Sequence, residues 1–163
     1  RSQQISLLGY VSKPGKYPIE QASTLIDLLA QAGGVAPSAG DTAILMRAND
    51  PANTRREIDL MALFEKGDAT QNPEVMNGDV IYVPREPRYY IYGEIQRPGA
   101  YRIERDMSVI QALSVAGGLT LRGTERRLKV NRRDAAGVLQ SMSIKLDDRV
   151  LPNDVLYVTE SLF

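Results

Sequence analysis

The chain has 163 residues, with 43% hydrophobic and 25% charged side chains, a composition that fits a globular domain with a real core and not a disordered or fibrous chain. It contains no histidine, cysteine or tryptophan, which removes imidazole bases, thiolate nucleophiles, the commonest transition-metal ligands and every disulfide. Twenty basic residues balance twenty acidic ones, so no excess charge draws the chain to phosphate backbones, and nucleic acid is not an expected partner.

Taken in chain order, residues 4–11 alternate and are rich in strand formers. Pro14-Gly15 supplies a turn, and a second strand returns through Tyr17. Thr24-x-x-Asp27 then places an N-cap with a polar partner three residues on. Leu25, Leu28, Leu29 and Ala32 follow at helical spacing and predict one buried stripe. Gly33-Gly34 ends that helix, because glycine enters a left-handed cap at least cost. Short strands are predicted over 43–47 and 56–60, and a last strand follows the Asn77-Gly78-Asp79 turn. Pro84-Arg85-Glu86-Pro87 reads as a short, stiff junction, since proline restricts both its own φ and the residue before it.

Beyond that junction the order of elements repeats. A strand over 89–95, a Pro98-Gly99 turn and a return through Tyr101 lead to Ser108-x-x-Gln111, the true capping box of the pair. The stripe of Val109, Ala112, Leu113 and Ala116 ends at Gly117-Gly118. Strands are predicted near 127–132 and 138–145, joined by an Asp134-Ala135-Ala136-Gly137 hairpin loop, with a closing strand after Pro152-Asn153-Asp154. The copies align residue for residue: Gly9/Gly93, Pro14/Pro98, Gly15/Gly99, Tyr17/Tyr101, Ile19/Ile103, Glu20/Glu104, Ile26/Ile110, Leu29/Leu113, Ala32/Ala116, Gly33/Gly117 and Gly34/Gly118 are identical at one constant spacing. The first copy carries an insertion near 61–74 that the second lacks. Two domains follow, 1–86 and 87–163, each with a helix on one face of a small sheet, so the fold class is α+β.

These motifs carry a resemblance. A strand ending in Gly-x-x-x-x-Pro-Gly-x-Tyr, a Thr or Ser cap, Ala-Gly-Gly and a closing Asp-Val-(Ile/Leu)-Tyr-Val resemble the SLBB domain, a β-grasp (ubiquitin-like) module. Two copies in tandem are similar to the periplasmic part of outer-membrane polysaccharide export proteins, which secrete capsule or exopolysaccharide. The resemblance implies a structural and interaction module, periplasmic, associated with the outer membrane through parts not in this chain. It also implies three kinds of partner: other copies of itself in a ring, other polysaccharide secretion proteins, and the exported polysaccharide. The family's N-terminal export segment has no counterpart here and the sequence opens on Arg1, so the chain reads as an excised or processed piece. With Phe163 as terminus no amphipathic helix follows the last strand, and the expectation is that another protein forms the outer-membrane pore. No run approaches the roughly 18 apolar residues of a spanning helix.

Alternation assigns Ile5, Leu7, Gly9 and Val11, with Tyr89, Ile91, Gly93 and Ile95, to the helix-facing side of each sheet. Leu8, Tyr10, Tyr90 and Tyr92 then lie on the opposite face, which is more aromatic than a solvated face needs. Packing of the domains or of the inserted loop, a subunit contact and saccharide stacking are the open readings, because tyrosine combines apolar area with a hydroxyl. Residues 1–87 hold 8 basic and 11 acidic side chains, and 88–163 hold 12 and 9, so the halves carry −3 and +3 and suit head-to-tail contact between subunits. Arg122, Arg126, Arg127, Lys129, Arg132 and Arg133 form the main basic cluster, read either as a solvated face, as a subunit contact or as a site for acidic polysaccharide. Asp147-Asp148 is a turn and not a calcium site, since no EF-hand spacing surrounds it. The glycine pairs follow a helix, whereas phosphate loops precede one. No Gly-x-Ser-x-Gly elbow occurs. No cofactor and no catalysis are expected. A saccharide or small-ligand binding module without a channel role is the alternative function, and it would need a concave pocket with convergent polar groups.

Overall fold

The structure is a computed structural model that describes residues 3–20, 22–48 and 55–162. The chain divides into two compact units, Arg1–Glu86 and Pro87–Phe163. The first runs β1 (Gln4–Gly9), β2 (Gly15–Pro18), α1 (Leu25–Gln31), β3 (Thr42–Met46), β4 (Arg55–Asp59), α2 (Leu60–Lys66), a 3-10 turn (Ala69–Gln71) and β5 (Val80–Val83). The second runs β6 (Arg88–Gly93), β7 (Gly99–Arg102), α3 (Val109–Val115), β8 (Lys129–Arg133), β9 (Leu139–Ser143) and β10 (Val155–Val158). Their five-stranded sheets share one topology, β2-β1-β5-β3-β4 and β7-β6-β10-β8-β9. The first and last strands of each unit pair in parallel and the other neighbours are antiparallel. The units are two tandem α+β domains of the β-grasp type.

Each sheet buries one face under its helix. Ile5, Leu7, Ala43, Leu45, Ile81 and Val83 pack beneath Leu25, Leu28, Leu29 and Ala32. In the second unit Tyr89, Ile91, Val130, Leu156 and Val158 pack beneath Val109, Ala112, Leu113 and Ala116. The expected stripes therefore form, and each fully buried Leu, Ile or Val contributes about 1.5–3 kcal/mol over its exposed state. Both helices open on reciprocal capping boxes. The second was expected from Ser108 and Gln111, whose oxygens accept from each other's N–H at 3.3 and 2.8 Å. The first corrects the sequence reading: Asp27, though shorter than Gln, accepts from the Thr24 N–H at 3.0 Å while the Thr24 hydroxyl accepts from the Asp27 N–H.

Shared residues act at the strand ends. Gly9 and Gly93 adopt φ of +89° and +93°, and a Cβ there would lie 2.3 Å from the Val83 carbonyl oxygen and 2.2 Å from that of Val158. Only glycine allows that approach. Alternation stops at this point, so Tyr10 lies beyond β1, tied through its own N–H to the Val83 carbonyl. In the Pro-Gly-x-Tyr turns, the hydroxyls of Tyr17 and Tyr101 donate to the carbonyls of Lys13 and Arg97, four residues back. Tyr101 also stacks on Tyr89, 5.8 Å between ring centroids. The Tyr89 hydroxyl is fully buried and donates to the Ala112 carbonyl at 2.9 Å.

The units differ in two places. The inserted segment of the first forms most of α2 and the 3-10 turn, adding Leu63 to the core, and the Arg56 guanidinium donates to the Thr70 carbonyl within it. The second unit has instead a tight turn in which the Lys145 N–H donates to the Asp148 carboxylate at 2.8 Å, the turn expected from Asp147-Asp148. Their edge strands also diverge. β4 carries Arg55, Arg56, Glu57 and Asp59, whereas β9 is uncharged and exposed throughout.

Candidate interaction surfaces

Strand register fixes which side chains share the outer face of each sheet, the face away from the helix. In the second unit Tyr92 stands opposite Tyr157, Tyr157 opposite Lys129, and Lys129 opposite Ser143. The next row is Ala100, Tyr90, Val155, Asn131 and Ser141. The equivalent row of the first unit is Leu8, Tyr82, Ile44 and Glu57. Leu8 is 44% exposed, Tyr92 46% and Tyr157 50%, and Tyr10 and Tyr82 are less exposed. The inserted segment joins the core side of the first unit and leaves Leu8 and Tyr10 accessible. Tyr90 is half-buried. Tyr82 and Tyr157 were not among the residues picked from sequence, although the same alternation applied to the closing strands would have found them.

The basic cluster does not act as one surface. Lys129 and Arg133 point outward with Asn131, but Arg132 points to the core side with Val130, at its rim. There its Nε and Nη2 donate to Oδ1 and Oδ2 of the buried Asp154 at 2.9 and 2.7 Å. That hydrogen bond pushes the Arg132 guanidinium above its already high ordinary pKa. Asp154 also accepts from the Leu151 N–H and so holds the turn before β10. The first unit has the same device in looser form: Asp79 accepts from the Met76 N–H at 2.8 Å, with Arg47 Nε 3.8 Å away. Arg127 donates to the Glu160 carbonyl at 2.9 Å. Arg126 and Arg127, with Thr124, Ser161 and Leu162, line a surface cavity of about 530 Å³. A second cavity, about 570 Å³, lies beside α1 and includes Glu20 and Asp27, but Asp27 is engaged in the capping box. Among the described residues no three acidic side chains come together to hold a metal ion. No helix among them is long and apolar enough to cross a membrane.

The SLBB domain family matches the chain twice, over residues 3–83 and over residues 88–143. The chain belongs to the SLBB domain family. It is similar to the EPS I polysaccharide export outer membrane protein EpsA of Ralstonia solanacearum, at 27% identity over 173 aligned positions. That match covers 97% of this chain and 45% of that protein, so the chain spans less than half the length of its relative. In this SLBB pair the residues common to both copies hold turns, caps and strand ends. The copies part company on the outer faces, where Leu8, Ile44 and Glu57 of one stand against Tyr92, Lys129 and Ser143 of the other. Much of the exposed chemistry that distinguishes the two domains is therefore on those faces.

Proposed function

We propose that the chain is a non-catalytic, periplasmic interaction module of a capsular or exopolysaccharide export complex, which builds or extends the ring through which the glycan leaves the cell. The observation that carries this reading is the doubled small fold, whose two copies keep the same scaffold and present different exposed faces. Exposed Leu8 and Tyr82 beside Ile44 make the face of the first unit apolar, a character suited to protein contact. The opposite charges of the halves, −3 and +3 from the sequence, favour a contact in which the first unit of one copy meets the second unit of the next. Other secretion proteins and the polymer itself complete the set of partners, and anchorage at the outer membrane comes from other parts of the protein.

Two measurements test the proposal. Light scattering on the full-length protein should give a closed oligomer that loosens with added salt, since exposed charge contacts are screened over about 10 Å at 0.1 M ionic strength. Deleting either unit should abolish glycan secretion. An assembly that ignores both salt and the double substitution Arg126→Glu, Arg127→Glu removes the electrostatic part of the proposal. Secretion that survives loss of both units removes the export role.

A further inference from the structure

The outward positions of the second unit's sheet hold three tyrosines, Tyr90, Tyr92 and Tyr157, four cations, Arg88, Arg102, Lys129 and Arg133, and no acid. Arg102 lies 4.0 Å from Glu104, just beyond its strand, and Arg133 donates to the Gly137 carbonyl. Lys129 has no carboxylate within ion-pair reach among the described residues. The outward positions of the first unit carry Lys16 and Arg55 against Glu57 and Asp59, and sum to zero.

We infer that the Tyr92–Tyr157–Lys129 row of the second unit is a contact site for acidic sugar residues, with the pyranose faces on the two tyrosines and a carboxylate at Lys129. The inference rests on the export role proposed above and names the chemistry of what that role handles. A pyranose ring presents C–H bonds of slight positive charge on its flat faces, and these meet the negative face of an aromatic ring. Tyr92 and Tyr157 are register partners on the neighbouring parallel strands β6 and β10, about 5 Å apart at the backbone by sheet geometry, so both rings rise from the same face of the sheet. Lys129 is the register partner of Tyr157 on the third strand, and its ammonium can meet a carboxylate as a point charge. The first unit keeps one ring, Tyr82, at the place of Tyr157 but has Leu8 and Ile44 where Tyr92 and Lys129 stand, so it lacks the second ring and the cation. A second copy of the chain is a poorer occupant for this row, because the negative charge of the first unit lies off its outer sheet face, whose charges sum to zero, and the head-to-tail contact proposed above therefore draws on other surfaces of the second unit.

The test is titration of this chain with a galacturonate tetramer, and separately with maltotetraose as a neutral sugar of equal length, following backbone amide shifts by NMR. The acidic tetramer should shift amides of β6, β10 and β8 around the row, and bind at least tenfold more tightly than the neutral one. Lys129→Gln should remove most of that preference, and Tyr157→Ala should weaken both sugars about tenfold. Both residues are exposed, and an unchanged thermal transition confirms that each variant is folded. Equal binding of the two sugars, no shift on these strands, or full binding by Lys129→Gln overturns the inference. So does a change in oligomeric state on Tyr157→Ala without sugar binding, which assigns the row to a protein partner. In the full-length protein, secretion that needs the second unit while no acidic sugar binds leaves the export role standing without this site. Sugar binding with secretion indifferent to both units does the reverse.

Discussion

At the scale of single residues, the invariants of the two copies answer geometric demands. Gly93 must let the Val158 carbonyl approach where a side chain would stand, and its φ is one that L side chains rarely adopt. Gly93→Ala should cost roughly 1–3 kcal/mol for the backbone conformation alone and more through the parted β6–β10 ladder; a fall in the unfolding midpoint of the second unit checks this. Tyr89 carries the clearest pH signature. Burial, then the neighbouring Tyr101, push its pKa from 10.0 up to about 12, because the phenolate is unwelcome in the core. The folded state therefore holds its proton more tightly than the unfolded state. Its contribution is complete below pH 10 and drains away as the pH rises toward 12. Tyr89→Phe should cost about 1 kcal/mol at neutral pH, the net worth of one hydrogen bond, and flatten this part of the alkaline slope in denaturant titrations at stepped pH.

At the scale of elements, local rules in the sequence were reliable and distant ones were not. Caps, turns and helix stripes are written within a few neighbouring residues, so the spacing of Ser108 and Gln111 or of Leu25, Leu28, Leu29 and Ala32 was enough to place them. The Arg132–Asp154 pair spans 22 positions and has no local signature. Arg132 was accordingly grouped with the surface charges although it faces the core rim. Tyr10 was assigned to the outer face by alternation, which fails one residue earlier at the left-handed Gly9. Of the candidate site, Tyr92 and Lys129 were legible, whereas their junction through Tyr157 required strand pairing to be known. Arg132→Ala should destabilise the second unit by about 3–5 kcal/mol, since it strands a buried carboxylate. Arg47→Ala should do less to the first, where the ion pair is longer. Thermal melts of the two variants give the comparison directly.

At the scale of the whole molecule, each unit has its own core cluster, one made only of residues before the Pro84–Pro87 junction and one only of residues after it. Residues 1–86 and 87–163, produced separately, should each unfold in one cooperative transition, read by circular dichroism and by loss of amide protection. A fragment that stays unfolded alone would mean that its stability depends on the other. The separation also explains how duplication allowed specialisation: replacing outer-face side chains leaves the helix-covered face untouched, so one copy can turn apolar and the other cationic on the same frame.

Two sheets of identical topology on one chain create a matching problem as that chain folds, since a strand from one half has a near twin in the other, and tandem repeats are prone to such mispairing. The buried ring of Tyr89 works against it. Its counterpart in the first half is Ile5, and the helix residue matching Ala112, whose carbonyl takes the Tyr89 hydroxyl, is the larger Leu28, so β6 placed in the wrong sheet would bring an oversized ring under a larger neighbour. One aromatic ring thereby serves as an address, telling the second half of the polypeptide which core is its own.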